Sequence, residues 1–268
     1  MKKAAYLLAI ALFTSMFIFT SCGGGKDDNN NQDSTANDTV AETPEIFQYP
    51  IPTSFDMTDM LNEAGAAYIF NINDPENVDK YNTEASKALN LGVYGADLCY
   101  SSTYNMKQET MLYLEASKKL SDQLEINTPY SETFAERLET NIENTDSTYA
   151  LISASIEDTY NYLKQNEKDD LSLLVMAGSI IEGMYIATSV AILTPDNEEI
   201  TAIILEQKAS LEEVVAMMEE CTHEEVANIK GDLVTMSDLL TQAESGMTPE
   251  ILNNLSDVAA EVRSKVVK

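Results

Sequence analysis

Two carboxylates stand out because the residues around them carry no charge. Between Lys87 and Lys107 the only charged side chain is Asp97, and between Asp170 and Asp196 the only one is Glu182. Each has a tyrosine three residues on, Tyr100 and Tyr185, a spacing that puts carboxylate and phenol on one helical face. Tyr94 and Tyr104 fall on the same side as Asp97. A helix apolar on every side belongs in the middle of a bundle, so both carboxylates are expected to be buried. A buried carboxyl holds its proton to higher pH than a solvated one. Two readings follow. In one, Tyr94, Asp97, Tyr100, Tyr104, Glu182 and Tyr185 line a polar pocket for a small or cationic ligand. In the other, they form a satisfied hydrogen-bond network that fixes helix register.

Other chemistry finds little support. His223 is the only histidine, whereas a carboxylate-bridged di-iron bundle needs Glu-x-x-His pairs from two helices. A Ser-His-Asp triad would depend on that same residue, and no Gly-x-Ser-x-Gly elbow is present. Thr222-His223-Glu224-Glu225 reads as a capping box, with Thr222 as N-cap and Glu225 reaching back. Gly23-Gly24-Gly25-Lys26 has neither the preceding strand nor the following helix of a phosphate loop. No catalytic residue, metal site or cofactor is therefore expected. Cys99 and Cys221 either pair as a disulfide or pack as two buried thiols.

The elements that must position these residues all read as helix. Met57, Met60, Leu61, Ala64, Ala67 and Tyr68 mark a first helix over 56–71. Asp74-Pro75-Glu76 starts a second, running to about Tyr104 through Val78, Tyr81, Ala85, Leu89, Gly92, Ala96 and Cys99. A third spans 107–125 and ends before Thr128-Pro129. Phe134, Leu138 and Ile142 give a short helix; Tyr149, Ile152, Ile156, Tyr160 and Leu163 give the next. The stretch 171–193 is the most apolar after the leader and long enough to cross a bilayer, but Gly178, Glu182 and Gly183 mark it as a core helix. Three more helices follow over 196–220, through Val226 to Leu240, and after Thr248-Pro249. No stretch alternates with period two. The expected fold is all-α, an antiparallel bundle or helical-hairpin array of about eight to nine helices over 54–268. Leu91-Gly92 with Tyr113 and Ala116 resembles part of a tetratricopeptide hairpin, but the rest of that roughly 34-residue pattern is out of register.

Charge narrows the partners. The 268 residues hold 16 Lys+Arg against 45 Asp+Glu, a net of −29. A surface this acidic repels nucleic acid and anionic headgroups. There is no Trp, which weighs against a carbohydrate-stacking site.

The first 28 residues carry address information. Lys2 and Lys3 precede an apolar run from Ala4 to Phe19, and Thr20-Ser21-Cys22-Gly23 follows. These are the parts of a secretory signal, and a cysteine at the cleavage point resembles a bacterial lipoprotein signal. The resemblance implies removal of residues 1–21 and acylation of Cys22 as the membrane anchor. Loss of Lys2 and Lys3 moves the net charge from −29 to −31. Lys26-Asp27-Asp28 resembles the Lys-acid-acid export tag of Bacteroidota surface lipoproteins. Around Tyr94-Gly95-Ala96-Asp97-Leu98 the chain is similar to helical lipoproteins of that group. Together these imply outer-membrane attachment, facing the cell surface or the periplasm. Residues 22–53, with their Gly, Asn, Asp, Ser and Pro, read as a polar tether. The functions then expected are a non-catalytic binding or scaffold module contacting an envelope protein, or a small-ligand-binding lipoprotein built on Asp97 and Glu182.

Overall fold

Helix propensity and capping residues set nine α-helices along the described residues. A computed structural model describes residues 54–126 and 130–268, so the leader, Cys22, Lys26-Asp27-Asp28 and the tether lie outside the described residues, as do Thr128 and Pro129. The helices are α1 (Ser54–Glu63), α2 (Glu84–Thr103), α3 (Lys107–Gln123), α4 (Glu132–Asn141), α5 (Thr145–Gln165), α6 (Asp169–Leu193), α7 (Glu198–Met217), α8 (Glu224–Ala243) and α9 (Pro249–Val266). Short 3-10 turns occupy Pro75–Lys80 and Met218–Glu220. Among the described residues there is no strand, and the fold is an all-α bundle.

Side-chain caps fix most of the helix starts. Thr83 and Ser86 cap α2 reciprocally: the Ser86 N–H donates to Thr83 Oγ1 (3.0 Å) and the Thr83 N–H to Ser86 Oγ (3.1 Å). Asn197 caps α7, and Thr248 caps α9 ahead of Pro249. Each such cap contributes about 1 kcal/mol by satisfying N–H groups that the helix itself leaves open.

Three expected boundaries move. The first helix stops at Glu63 rather than Asn71, because Gly65 takes a left-handed φ of 78° that ends a helix at no steric cost. Asp74 caps as expected, accepting from the Glu76 N–H at 2.9 Å. It opens only a 3-10 turn, however, and α2 starts afresh from Thr83. Residues 64–83 therefore form a strap, not helix. The α8 N-cap is His223, whose Nδ1 accepts from the Glu225 N–H at 3.3 Å, and not Thr222.

The core is built on α2 and α6, the pair in most extensive contact. Both are buried along nearly their whole length. Their backbones meet at glycine. A Cβ on Gly92 would stand 1.9 Å from the Val175 carbonyl oxygen, and one on Gly178 would stand 1.9 Å from that of Leu89. No side chain larger than hydrogen fits at either position. α1, α3 and α5 pack on α2, while α7, α8 and α9 pack on α6. Although α6 is apolar enough to cross a membrane, 83% of its most apolar window is buried in the bundle.

Candidate functional site

Three central helices bring one ionisable group each to a common point. α2 supplies Asp97, α6 supplies Glu182 and α9 supplies Arg263. Both carboxylates are 0% exposed. Arg263 Nε donates to Glu182 Oε2 at 2.6 Å, and its guanidinium lies 4.1 Å from the centre of the Tyr185 ring. The flat cation thus bonds one carboxylate and stacks on the phenol one turn further along α6.

The charges do not balance by pairing alone. Two carboxylates face a single guanidinium, and Glu182 occupies its Nε. Burial holds the Asp97 carboxyl well above the usual carboxylate range; the Glu182 charge adds to this and Arg263 opposes it. Asp97 is therefore read as the neutral acid beside a Glu182–Arg263 ion pair. Asp97 faces Glu182 and the Asn73 backbone N–H, but neither of its oxygens has a full hydrogen bond to a protein group. Glu182 Oε1 and Arg263 Nη2 are likewise unpartnered. Four such polar atoms in one buried place are unusual, because each normally costs about 1–3 kcal/mol when left unmet.

Over this centre runs the 64–83 strap, pinned by phenols. Tyr100 Oη accepts from the Ile69 N–H (2.9 Å), and Tyr185 Oη accepts from Asn71 Nδ2 (2.6 Å). Tyr94 Oη donates to the Asp74 carbonyl (3.0 Å), and within the strap itself Tyr81 Oη accepts from Asn73 Nδ2 (3.0 Å). The strap also carries an aromatic cluster. Tyr68 stacks on Tyr100 with ring centres 4.7 Å apart, meets Phe70 edge-on at 5.0 Å and touches Tyr104 at 5.5 Å. Phe70 is 76% exposed.

Of the six residues expected to line a pocket, Asp97, Glu182 and Tyr185 share the centre. Tyr94 and Tyr100 turn their hydroxyls to the strap, and Tyr104 belongs to the aromatic cluster. Arg263, Asn71 and Asn73 were not foreseen. Arg263 left a faint signal: it is one of two arginines in the chain, four residues after the buried Ala259, and so at the edge of α9's inward face. The Asn71 and Asn73 contacts leave no helical period to read.

Two described clefts lie elsewhere. One of about 420 Å³ lies between α4 and α5, lined by Phe134, Arg137 and Asp158. One of about 430 Å³ lies where α6 gives way to α7, lined by Ile192, Asn197 and Leu252. Cys99 and Cys221 are free thiols. Among the described residues no group of three or more His, Cys, Asp or Glu is arranged to hold a metal ion. Comparison with protein families, curated proteins and solved structures gives no match for this chain.

Proposed function

We propose that this chain is a lipid-anchored, non-catalytic contact module of the outer membrane, tethered through Cys22 and presenting the aromatic face of its strap to a protein partner. The observation that carries the reading is Phe70, exposed at 76% on a base of stacked tyrosines. A large apolar ring exposed to water and backed by other aromatic rings makes a strong anchor on binding. The net charge of −29 selects a basic partner segment, whose cations meet both the acidic surface and the faces of Tyr68 and Tyr104.

The test is crosslinking in intact cells with a photoreactive residue at position 70, with Phe70→Ser as the competitor chain. A discrete partner band, captured by wild type and weakened about tenfold or more for Phe70→Ser in a pull-down, is expected. An identical partner profile for both chains would refute the contact face. Separately, Cys22→Ser is expected to lose fatty-acid labelling and to leave the membrane fraction.

A second reading, a small-ligand carrier, draws on the unpartnered atoms of Asp97, Glu182 and Arg263. It predicts a discrete added mass in native mass spectrometry of the protein incubated with envelope extract, absent in Asp97→Asn.

A further inference from the structure

The strap that displays Phe70 is also the roof of the Asp97 centre. Its backbone has few internal hydrogen bonds: after Ala66, which closes the end of α1, the next internal one is Asn77 N–H to the Asp74 carbonyl. What seats it in between is bonding to phenols on α2 and α6, namely Ile69 to Tyr100, Asn71 to Tyr185 and Asp74 to Tyr94. α2 and α6 themselves are held in close backbone contact at Gly92 and Gly178. Beside the buried carboxylates the strap is thus the stretch with few backbone hydrogen bonds of its own, the feature that favours local opening.

We propose that the seating of the 64–83 strap, and with it the Tyr68–Phe70 face, is governed by one proton held between Asp97 and Glu182. With the proton present, the centre carries one net anion against one guanidinium and the strap lies closed. When the proton leaves to water, a second carboxylate is charged at a fully buried position beside the Glu182 carboxylate, with the Asn73 backbone N–H as a nearby donor. Such an anion must be hydrated or neutralised, and lifting the strap, at the cost of exposing side chains such as Ile69, admits water without parting α2 from α6. Opening breaks the Ile69–Tyr100 bond and the Tyr68–Tyr100 stack together, so the aromatic face loses its base.

The groups that act with Asp97 are few. Glu182 faces it from α6 and Arg263 from α9. Tyr68 and Tyr81 face it from the strap, Tyr113 from α3, and Tyr94 and Cys99 from α2 itself; burial raises all five, so they stay neutral. On the α1 side, Asp56 bonds Tyr149 of α5 and acts on Cys99. The proton of the centre is thus the one that changes hands.

The biological meaning of this coupling rests on the contact reading above, but the coupling is a property of the chain alone. It is tested by hydrogen–deuterium exchange on the full chain from about pH 5 to about pH 9, with intrinsic exchange rates divided out. In wild type, protection of residues 66–73 is expected to fall with rising pH, by up to about tenfold per unit while the closed centre keeps the proton that the opened one loses, and to level off once the closed centre has lost it too, while α8 stays unchanged. Asp97→Asn and Glu182→Gln each leave one carboxylate for one guanidinium, and either is expected to flatten the profile. A flat wild-type profile, or one unchanged in both variants, would overturn the coupling. Phe70→Ser keeps the centre and should keep the pH-linked exchange. Capture that depends on Phe70 beside a pH-independent strap therefore sinks only the coupling; a pH-linked strap beside capture indifferent to Phe70 sinks only the contact face.

Discussion

At the scale of single residues, the three-charge centre predicts opposite outcomes for its members. The Asp97 carboxyl is raised in the folded state, so its stabilising contribution is fully present below the unfolded carboxylate's pKa and is lost as pH rises through the folded one. Asp97→Asn removes that loss, and its amide can donate to Glu182 Oε1. It is expected to be neutral at acid pH and more stable than wild type by about 1–2 kcal/mol in mildly alkaline buffer, as measured by urea unfolding at two pH values. Arg263→Met strands the Glu182 charge and should cost about 3–5 kcal/mol. A stabilising Arg263→Met would refute this account of the ion pair. The two carboxylates were legible in sequence because each is alone in an uncharged stretch. Arg263 was nearly invisible, since Lys265 and Glu261 beside it give that turn the look of an ordinary solvated helix end.

At the scale of elements, glycines of one type in one helix have different work. Gly92→Ala and Gly178→Ala each drive a methyl into a facing carbonyl, and overpacking against backbone should cost at least about 3 kcal/mol and broaden the unfolding transition. Gly95→Ala, three residues from Gly92, meets nothing within 4 Å. It should be neutral or stabilise by about 0.5–1 kcal/mol through helix propensity. Thermal unfolding of the three variants checks the contrast, and equal losses at Gly92 and Gly95 would contradict a close α2–α6 crossing. Helix identity was readable from three- and four-residue spacing almost everywhere. The strap was not, because Met57 to Tyr68 keeps a helical period through Gly65, and Val78 and Tyr81 keep one through the break before Thr83. A left-handed glycine and a second cap at Thr83 override that period, and the stretch they isolate is seated on tyrosines of α2 and α6.

At the scale of the whole molecule, burial predicts which thiol reacts. Cys99 is fully buried and its thiol is pushed well up by that burial, whereas Cys221 is only half-buried. A maleimide is expected to modify Cys221 in the native protein, and Cys99 only once the protein unfolds, so that two-site labelling tracks global unfolding. Native labelling of Cys99 would contradict the packing of α2. The Arg263 ion pair also sets an order of assembly. A chain emerges from the ribosome N-terminus first, and the two carboxylates precede their counter-ion by 166 and 81 residues, the latter being the sequence separation of the Glu182–Arg263 bond. Until Arg263 is made, closing α2 on α6 would bury two acids with no cation to answer them. The nascent protein therefore carries a chemical reason to stay open until α9 arrives.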